Sequence, residues 1–255
     1  RDRMTTVDQS NVCVIDIEGT FDDCQDIVKY AFQSKQFLQP NQELLAVNSI
    51  NWVRIIGQIC YYFYASLKVN KFSEPLNFSV PTGNFGNVFA CYAASKMGMP
   101  LSKIIVAVNS NDILDRFFKS NDYSKDKVNE TISPSMDISV ASNFERLIYY
   151  VNNSNSEITS DIMKKIKQNE YKIDKSNLGI IQKDFVSESC NENETLEIIK
   201  KNFEKNNIIL DPHTAVGVGA AHKLSFNDCV VLSTAHPCKF CLLYTSDAAD
   251  DSLGV

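Results

Sequence analysis

The sequence has no hydrophobic run long enough to cross a membrane and no concentrated basic segment. The longest apolar stretch, residues 55–67, is shorter than the roughly 18 residues that a membrane-spanning helix needs, and it contains Gln58 and Ser66. The 31 acidic residues exceed the 25 basic ones, which gives a net charge of -6. Nucleic acids and anionic membrane surfaces are therefore unfavourable partners.

The cysteines lack the dense spacing of a disulfide-stabilised protein. All eight are scattered along the 255 residues, mostly within apolar segments, which is typical of a reducing compartment. Cys238 and Cys241 form one CxxC pair near His236, but no second pair completes the four ligands of a structural zinc site. We therefore predict no metal site.

The chain also lacks a methionine at its first position, which is Arg1. We interpret it as an internal piece of a longer protein, so any targeting segment would lie upstream. We expect a cytoplasmic protein, with a plastid as the alternative.

The most informative segment, residues 76–98, predicts a strand, a tight turn and a helix. The turn contains Gly83, Asn84, Phe85, Gly86 and Asn87. Its two glycines let the backbone bend sharply, and the amides of a first helical turn have no partners within the helix. This arrangement suits a phosphate. The spacing matches neither the dinucleotide fingerprint nor the nucleotide P-loop, so a simple connecting loop remains the alternative.

Apolar segments and amphipathic segments alternate along the chain. Strands are predicted at 12–18, 44–47, 76–81, 103–109 and 230–232, and the main helices at 21–34, 52–67, 112–119, 143–151 and 215–222. This order predicts an α/β protein with a parallel or mixed sheet flanked by helices. Polar clusters at 48–54, 82–87 and 109–112 follow strands, so we expect them to meet at one crevice.

The segment around the predicted start of the second helix is a candidate second anion site. Asn48, Ser49, Asn51 and Arg54 combine hydrogen-bonding side chains with a guanidinium. Helix capping and an arginine that extends to solvent are the alternative. His213 and His236 are candidate acid-base groups, although each adjoins a proline, and a structural role is favoured.

We predict four regions along the chain. An α/β core covers residues 1–150, a polar helical subdomain or insertion 151–210, and a return to the core 211–240. Residues 241–255 resemble translated sequencing-adapter sequence, and we exclude them from the fold.

Several stretches together resemble the pyridoxal-phosphate-dependent threonine synthases. In chain order they are EGTFDDCQD from Glu18, NSINWVRI from Asn48, PTGNFGN from Pro81, NDIL from Asn111, SPSMDI from Ser133, SNFERL from Ser142, DPHTAVG from Asp211 and TAHP from Thr234. The resemblance covers about residues 4–240. It implies the fold of type II pyridoxal-phosphate enzymes, that of the tryptophan synthase β-subunit group.

The resemblance also implies a cofactor, a reaction and site residues. The Gly83–Asn87 turn would bind the phosphate of pyridoxal phosphate, and the Thr234 hydroxyl would face its pyridine nitrogen. Asn48, Ser49, Asn51 and Arg54 would meet the small-molecule substrate, O-phosphohomoserine. The enzyme would be a carbon-oxygen lyase acting on phosphates, which releases L-threonine and phosphate.

One feature of the family has no match here. The family's Schiff-base lysine lies upstream, and Lys183, which follows Gln182 and precedes Asp184, is a poor candidate. We therefore expect this chain alone to be inactive. The alternatives are a threonine-synthase-like phospholyase that releases a keto acid, and a protein that binds the cofactor without catalysis. The oligomeric state is not predicted.

Overall fold

The computed structural model describes residues 9–19, 21–34, 36, 38–48, 51–168 and 172–240. The chain divides into two compact units, residues 1–45 and 46–255. In the first unit, helix α1 spans Phe21–Ser34, as predicted. The predicted strands at 12–18 and 44–47 are wrong: both segments are irregular and largely exposed. A strand needs a hydrogen-bonded neighbour, and among the described residues neither segment pairs with one.

The second unit is built on a parallel four-stranded sheet. Its strands are β1 (Leu76–Pro81), β2 (Leu101–Val108), β3 (Phe185–Ser189) and β4 (Cys229–Val231), in the order β3-β2-β1-β4. Each of the three pairings is parallel. The second half of β2, residues 104–108, is a continuous apolar run that is buried throughout, because both faces of a parallel sheet are covered.

Helices lie on both faces of this sheet, which confirms the predicted fold class. They are α2 (Trp52–Asn70), α3 (Gly86–Lys96), α4 (Ile113–Ser120), α5 (Phe144–Val151), α6 (Ser156–Lys167), α7 (Lys175–Asp184), α8 (Glu192–Asn206) and α9 (Pro212–Lys223), with 3-10 turns at Pro134–Met136 and Pro237–Phe240. Side chains alternate along β2: Ile104 and Val106 join the larger core, and Ile105 and Ala107 join a smaller core that α9 covers.

The predicted polar region, residues 151–210, contributes a strand that its polar composition does not predict. Strand β3 pairs with β2, with Ser187 opposite Val106. Ser187 Oγ donates to Asp115 Oδ1 at 2.7 Å, and Lys119 Nζ bridges Asp115 and Glu188 at 3.0 Å each. The polar residues of this edge strand therefore bind residues of α4. Because these residues are polar, the search for apolar runs does not predict the strand. The predicted domain boundaries stay a prediction.

Helix α2 is less enclosed than its composition predicts. One face is buried, through Ile55, Ile59, Tyr62 and Ser66. The opposite face exposes large apolar side chains, including Val53, Ile56, Tyr61, Tyr64 and Leu67. The described structure therefore leaves a large apolar face of α2 exposed. None of the described helices is both long and apolar enough to span a membrane.

Candidate active site

The Gly83–Asn87 turn connects the end of β1 to the start of α3. Thr82 keeps the chain on the sheet, because its amide donates to Ala107 O at 2.8 Å and its hydroxyl to Val80 O at 2.6 Å. Helix α3 begins at Gly86, and the residue before it, Phe85, makes no side-chain capping hydrogen bond. The first amides of α3 thus have no side-chain acceptor from the N-cap, which leaves them suited to an anion.

Phe85 has a backbone conformation that is unusual for a residue other than glycine. Its φ is 64°, in the left-handed region, and its ring is buried. The ring lies edge-on to Phe144 at 5.5 Å and packs at 6.3 Å from both Phe118 and Phe185. Aromatic packing therefore holds a strained residue at the turn, a kind of strain that is common at functional sites.

The two asparagines of the turn have different surroundings. The Asn84 backbone oxygen accepts from Asn143 N and Asn143 Nδ2 at 3.0 Å each, and its side-chain oxygen accepts from Ser142 Oγ at 3.2 Å. The Asn87 side-chain oxygen is buried and accepts no hydrogen bond from the described residues. Since a buried polar atom normally has a partner, Asn87 is the residue whose unmet hydrogen bond points to a ligand.

Arg146 and Trp52 connect this turn to the start of α2. Arg146 Nε donates to Asn143 Oδ1 at 2.8 Å, and its guanidinium lies 5.3 Å from the centre of the Trp52 ring. Burial lowers the pKa of Arg146, and nearby Glu145 partly offsets this. Trp52 also packs edge-on against Phe89 of α3 at 6.1 Å. The start of α2 therefore lies against the helix that follows the turn.

The candidate substrate residues are partly structural. Asn51 caps α2: its Oδ1 accepts from Val53 N at 2.9 Å, its Nδ2 donates to Ala46 O at 2.7 Å, and its amide donates to Asn48 O at 3.1 Å. Arg54 is exposed, and among the described residues its guanidinium has no hydrogen-bond or ion-pair partner. Ser49 lies outside the described residues.

Thr234 follows the short strand β4 and is tied to α9. Its amide donates to Thr214 Oγ1 at 3.3 Å. The Thr214 hydroxyl in turn donates to Asp211 Oδ2. Burial alone would raise the pKa of Asp211, but hydrogen bonds from His213 and Thr214 outweigh it and hold the pKa below its usual value.

Both candidate histidines have structural partners. His213 is buried, lies 3.0 Å from Asp211 Oδ1 through Nδ1, and accepts from Ser135 N at 3.2 Å through Nε2. His236 is exposed and accepts from Cys238 N at 3.2 Å. Cys241 lies outside the described residues, and those that are described contain no group of three His, Cys, Asp or Glu side chains placed to hold a metal ion.

A polar network at the end of β2 is an addition to the predicted site. Asn109 Nδ2 donates to Asp137 Oδ1 at 2.7 Å and to Ser133 Oγ at 3.0 Å, and Asn111 Nδ2 donates to Asp137 Oδ1 at 3.0 Å. The cluster at 109–112 signals this network, but its partner Asp137 is distant in sequence. The network holds residues 133–137 beside Gly83, where a side chain would overlap the Ser135 carbonyl oxygen.

The structure thus brings together most of the predicted elements. The turn, the start of α2 and the end of β2 are connected by Asn143, Arg146, Trp52 and the 133–137 segment. Thr234 joins them through α9. Lys183 lies exposed on α7, a helix that contributes none of these side chains.

No protein-family profile matches the chain, but similar proteins are found among curated sequences and solved structures. The chain is 44% identical to the threonine synthase of Saccharomyces cerevisiae over an alignment 275 positions long, which covers 99% of the chain and 52% of that protein. The chain thus spans about half the length of the curated relatives that it matches.

The chain is also similar to solved structures of threonine synthases. The crystal structure of yeast threonine synthase matches with a TM-score of 0.85 and 43% identity, over 100% of this chain and 54% of that one. The pyridoxal-phosphate-bound threonine synthase of Brucella melitensis matches with a TM-score of 0.80 and 41% identity, over 88% of this chain and 48% of that one. The chain is therefore homologous to threonine synthases over nearly its whole length and has the fold of the type II pyridoxal-phosphate enzymes.

Proposed function

We propose that the protein containing this chain is a threonine synthase, which converts O-phosphohomoserine and water to L-threonine and phosphate with pyridoxal phosphate. The observation that carries the proposal is the Gly83–Asn87 turn, in which a helix start without a side-chain cap coincides with a buried amide oxygen that has no partner among the described residues. The homology to threonine synthases over 99% of the chain supports the same reaction.

The residues of this chain fit the cofactor. The turn presents main-chain amides at the start of α3, and the dipole of this helix favours a phosphate there. The Asn87 amide lies half-buried at the same turn, where it would contact bound phosphate or substrate. When bound, pyridoxal phosphate supplies the electron-withdrawing ring that labilises bonds of the amino-acid substrate.

Thr234 would meet the pyridine nitrogen with a neutral hydroxyl. A hydroxyl does not hold a ring nitrogen protonated as a carboxylate would, and so it moderates the electron-withdrawing power of the ring. The hydrogen bond from the Thr234 amide to Thr214 supports this role, because it fixes the backbone from which the hydroxyl projects.

Arg54 would bind the phosphate or carboxylate of the substrate. Its guanidinium is exposed and unpaired among the described residues, and Trp52, in the same helical turn, packs on α3. Arginine suits planar, bidentate recognition of either anion. Asn48 and Ser49 would assist it, whereas Asn51 contributes mainly by capping α2.

The Schiff-base lysine would come from the part of the protein outside this chain, so this chain alone would be inactive. The free cysteines among the described residues, such as buried Cys91, suit a reducing compartment, and we assign the protein to the cytoplasm.

The test is product analysis with the complete protein, pyridoxal phosphate and O-phosphohomoserine. Threonine and phosphate in equal amounts are the expected result. Phosphate accompanied by 2-ketobutyrate would instead assign a phospholyase. No phosphate from a folded, cofactor-loaded protein would leave only a binding function.

A further inference from the structure

The carboxylate of Asp211 connects two parts of the candidate site that lie far apart in sequence. Asp211 caps α9, and its side chain is fully buried, with 0% exposure. Its Oδ1 accepts from His213 N at 3.0 Å and from Thr214 N at 3.4 Å. These two bonds satisfy the helix start, but the carboxylate makes two further side-chain contacts that capping does not require.

The first contact leads to Thr234. The Thr214 hydroxyl donates its single proton to Asp211 Oδ2, so its lone pairs are directed away from the carboxylate. One of them accepts from Thr234 N at 3.3 Å. The carboxylate thereby sets the direction of the hydroxyl that holds the backbone of Thr234.

The second contact leads to the phosphate-binding turn. Because His213 Nε2 accepts from Ser135 N at 3.2 Å, the ring proton lies on Nδ1, from which it is donated to Asp211 at 3.0 Å. Ser135 is the residue whose carbonyl oxygen lies against Gly83, too close for any side chain there. The imidazole thus holds the backbone segment on which the turn rests.

We propose that Asp211 is a positioning residue that holds Thr234 and the Gly83–Asn87 turn at a fixed separation, so that one cofactor molecule meets both. This inference rests on the proposed function. Asp211 acts through His213 on the phosphate end and through Thr214 on the pyridine end, and it does not itself contact the cofactor.

The test compares single variants of the complete protein loaded with pyridoxal phosphate. Asp211→Asn keeps an oxygen for capping but replaces the acceptor of the Thr214 proton with an amide NH2 group, which can only donate. We expect its affinity for the cofactor to fall at least about tenfold. Asn191→Ala is the matched control, because it removes the cap of α8, Asn191 Oδ1 to Glu194 N at 3.0 Å, outside this network.

Two further variants separate the two branches. Thr214→Val removes only the hydroxyl, and we expect it to shift the NMR signal of a labelled pyridine nitrogen while the phosphorus signal of the cofactor stays in place. His213→Phe removes the acceptor of the Ser135 amide, and we expect the reverse pattern. Thermal unfolding of each variant measures the loss of stability separately.

The outcomes distinguish this role from a structural one. If Thr214→Val and His213→Phe are less stable but leave both NMR signals at their wild-type positions, the positioning role is overturned while the proposed function stands. If Asn191→Ala weakens cofactor binding as much as Asp211→Asn does, the effect is general destabilisation and the role is likewise overturned. A folded wild-type protein that binds no pyridoxal phosphate would overturn the proposed function and this role together.

Discussion

The backbone of Gly83 lies so close to the carbonyl oxygen of Ser135 that a Cβ atom on Gly83 would overlap it. Gly83→Ala should therefore displace the turn, because the obstacle is backbone and not a flexible side chain. We expect at least about tenfold weaker binding of pyridoxal phosphate to the complete protein, measured by fluorescence titration. Gly179→Ala, at a helical position with open space around it, is the control and should bind normally. Equal affinities in the two variants would contradict this prediction.

Phe85 combines a strained backbone with a buried ring, and substitution can separate these effects. Phe85→Ala should lower the free energy of unfolding by about 3–5 kcal/mol, because it empties a site among Phe118, Phe144 and Phe185. Phe85→Gly loses the same ring but tolerates a φ of 64°, so it should be about 1 kcal/mol more stable than Phe85→Ala. Urea denaturation measures both values. A glycine variant less stable than the alanine variant would argue against the left-handed conformation.

Asn87 should matter more for binding than for stability. Its buried side-chain oxygen has no partner among the described residues, so Asn87→Ala removes a polar atom that folding leaves unpaired. We expect an unfolding free energy within about 0.5 kcal/mol of wild type, and clearly weaker binding of cofactor or substrate. Asn143→Ala is the contrasting variant, since it deletes the hydrogen bonds to Asn84 O and Arg146 Nε. It should lower the free energy of unfolding by about 1–3 kcal/mol. A large stability loss in Asn87→Ala would mean that its oxygen has a partner in the folded protein.

Arg54 should act on the substrate and not on the cofactor. We expect Arg54→Ala to lower kcat/KM for O-phosphohomoserine by about tenfold to a hundredfold, the range for losing a charge-assisted hydrogen bond. Cofactor affinity should stay at its wild-type value. Lys68→Ala, which removes an exposed cation near the other end of α2, is the control for net charge. The role fails if both variants lose activity equally, or if Arg54→Ala loses none.

Asp211 should contribute stability that depends on pH. Its pKa in the folded state is lowered, because hydrogen bonds from His213 and Thr214 outweigh the effect of burial. Its contribution to stability is therefore complete when the pH is above the pKa of the unfolded state, about 3.9. It is lost as the pH falls through the lower pKa of the folded state. The difference in unfolding free energy between wild type and Asp211→Asn should be constant from neutral pH to about pH 5 and shrink below about pH 4. Denaturation across this pH range measures it, and a difference that grows on acidification would contradict the assigned sign.

The strand-turn-helix at residues 76–98 is predictable because its signals are local. An apolar run predicts β1, paired glycines predict the turn, and alternation of strands and helices predicts a parallel sheet. Strand β3 is not predictable in this way, since Ser187 and Glu188 satisfy their polar groups through α4 residues that are far away in sequence. The opposite error occurs at 12–18, where β-branched residues suggest a strand that no described neighbour pairs with.

The amino-acid sequence by itself determined the Gly83–Asn87 turn, the alternation that builds the sheet, and the ordered motifs that resemble threonine synthases. All of these depend on neighbouring residues, whose spacing directly sets backbone geometry. Only the tertiary structure decided that Asp211 joins Thr234 to the turn, that Asp137 anchors the end of β2, and that Asn51 is a cap while Arg54 is left unpaired among the described residues. Hydrogen bonds between residues that are distant in sequence depend on how the helices and strands pack. The spacing of residues along the chain therefore does not predict which buried groups come into contact.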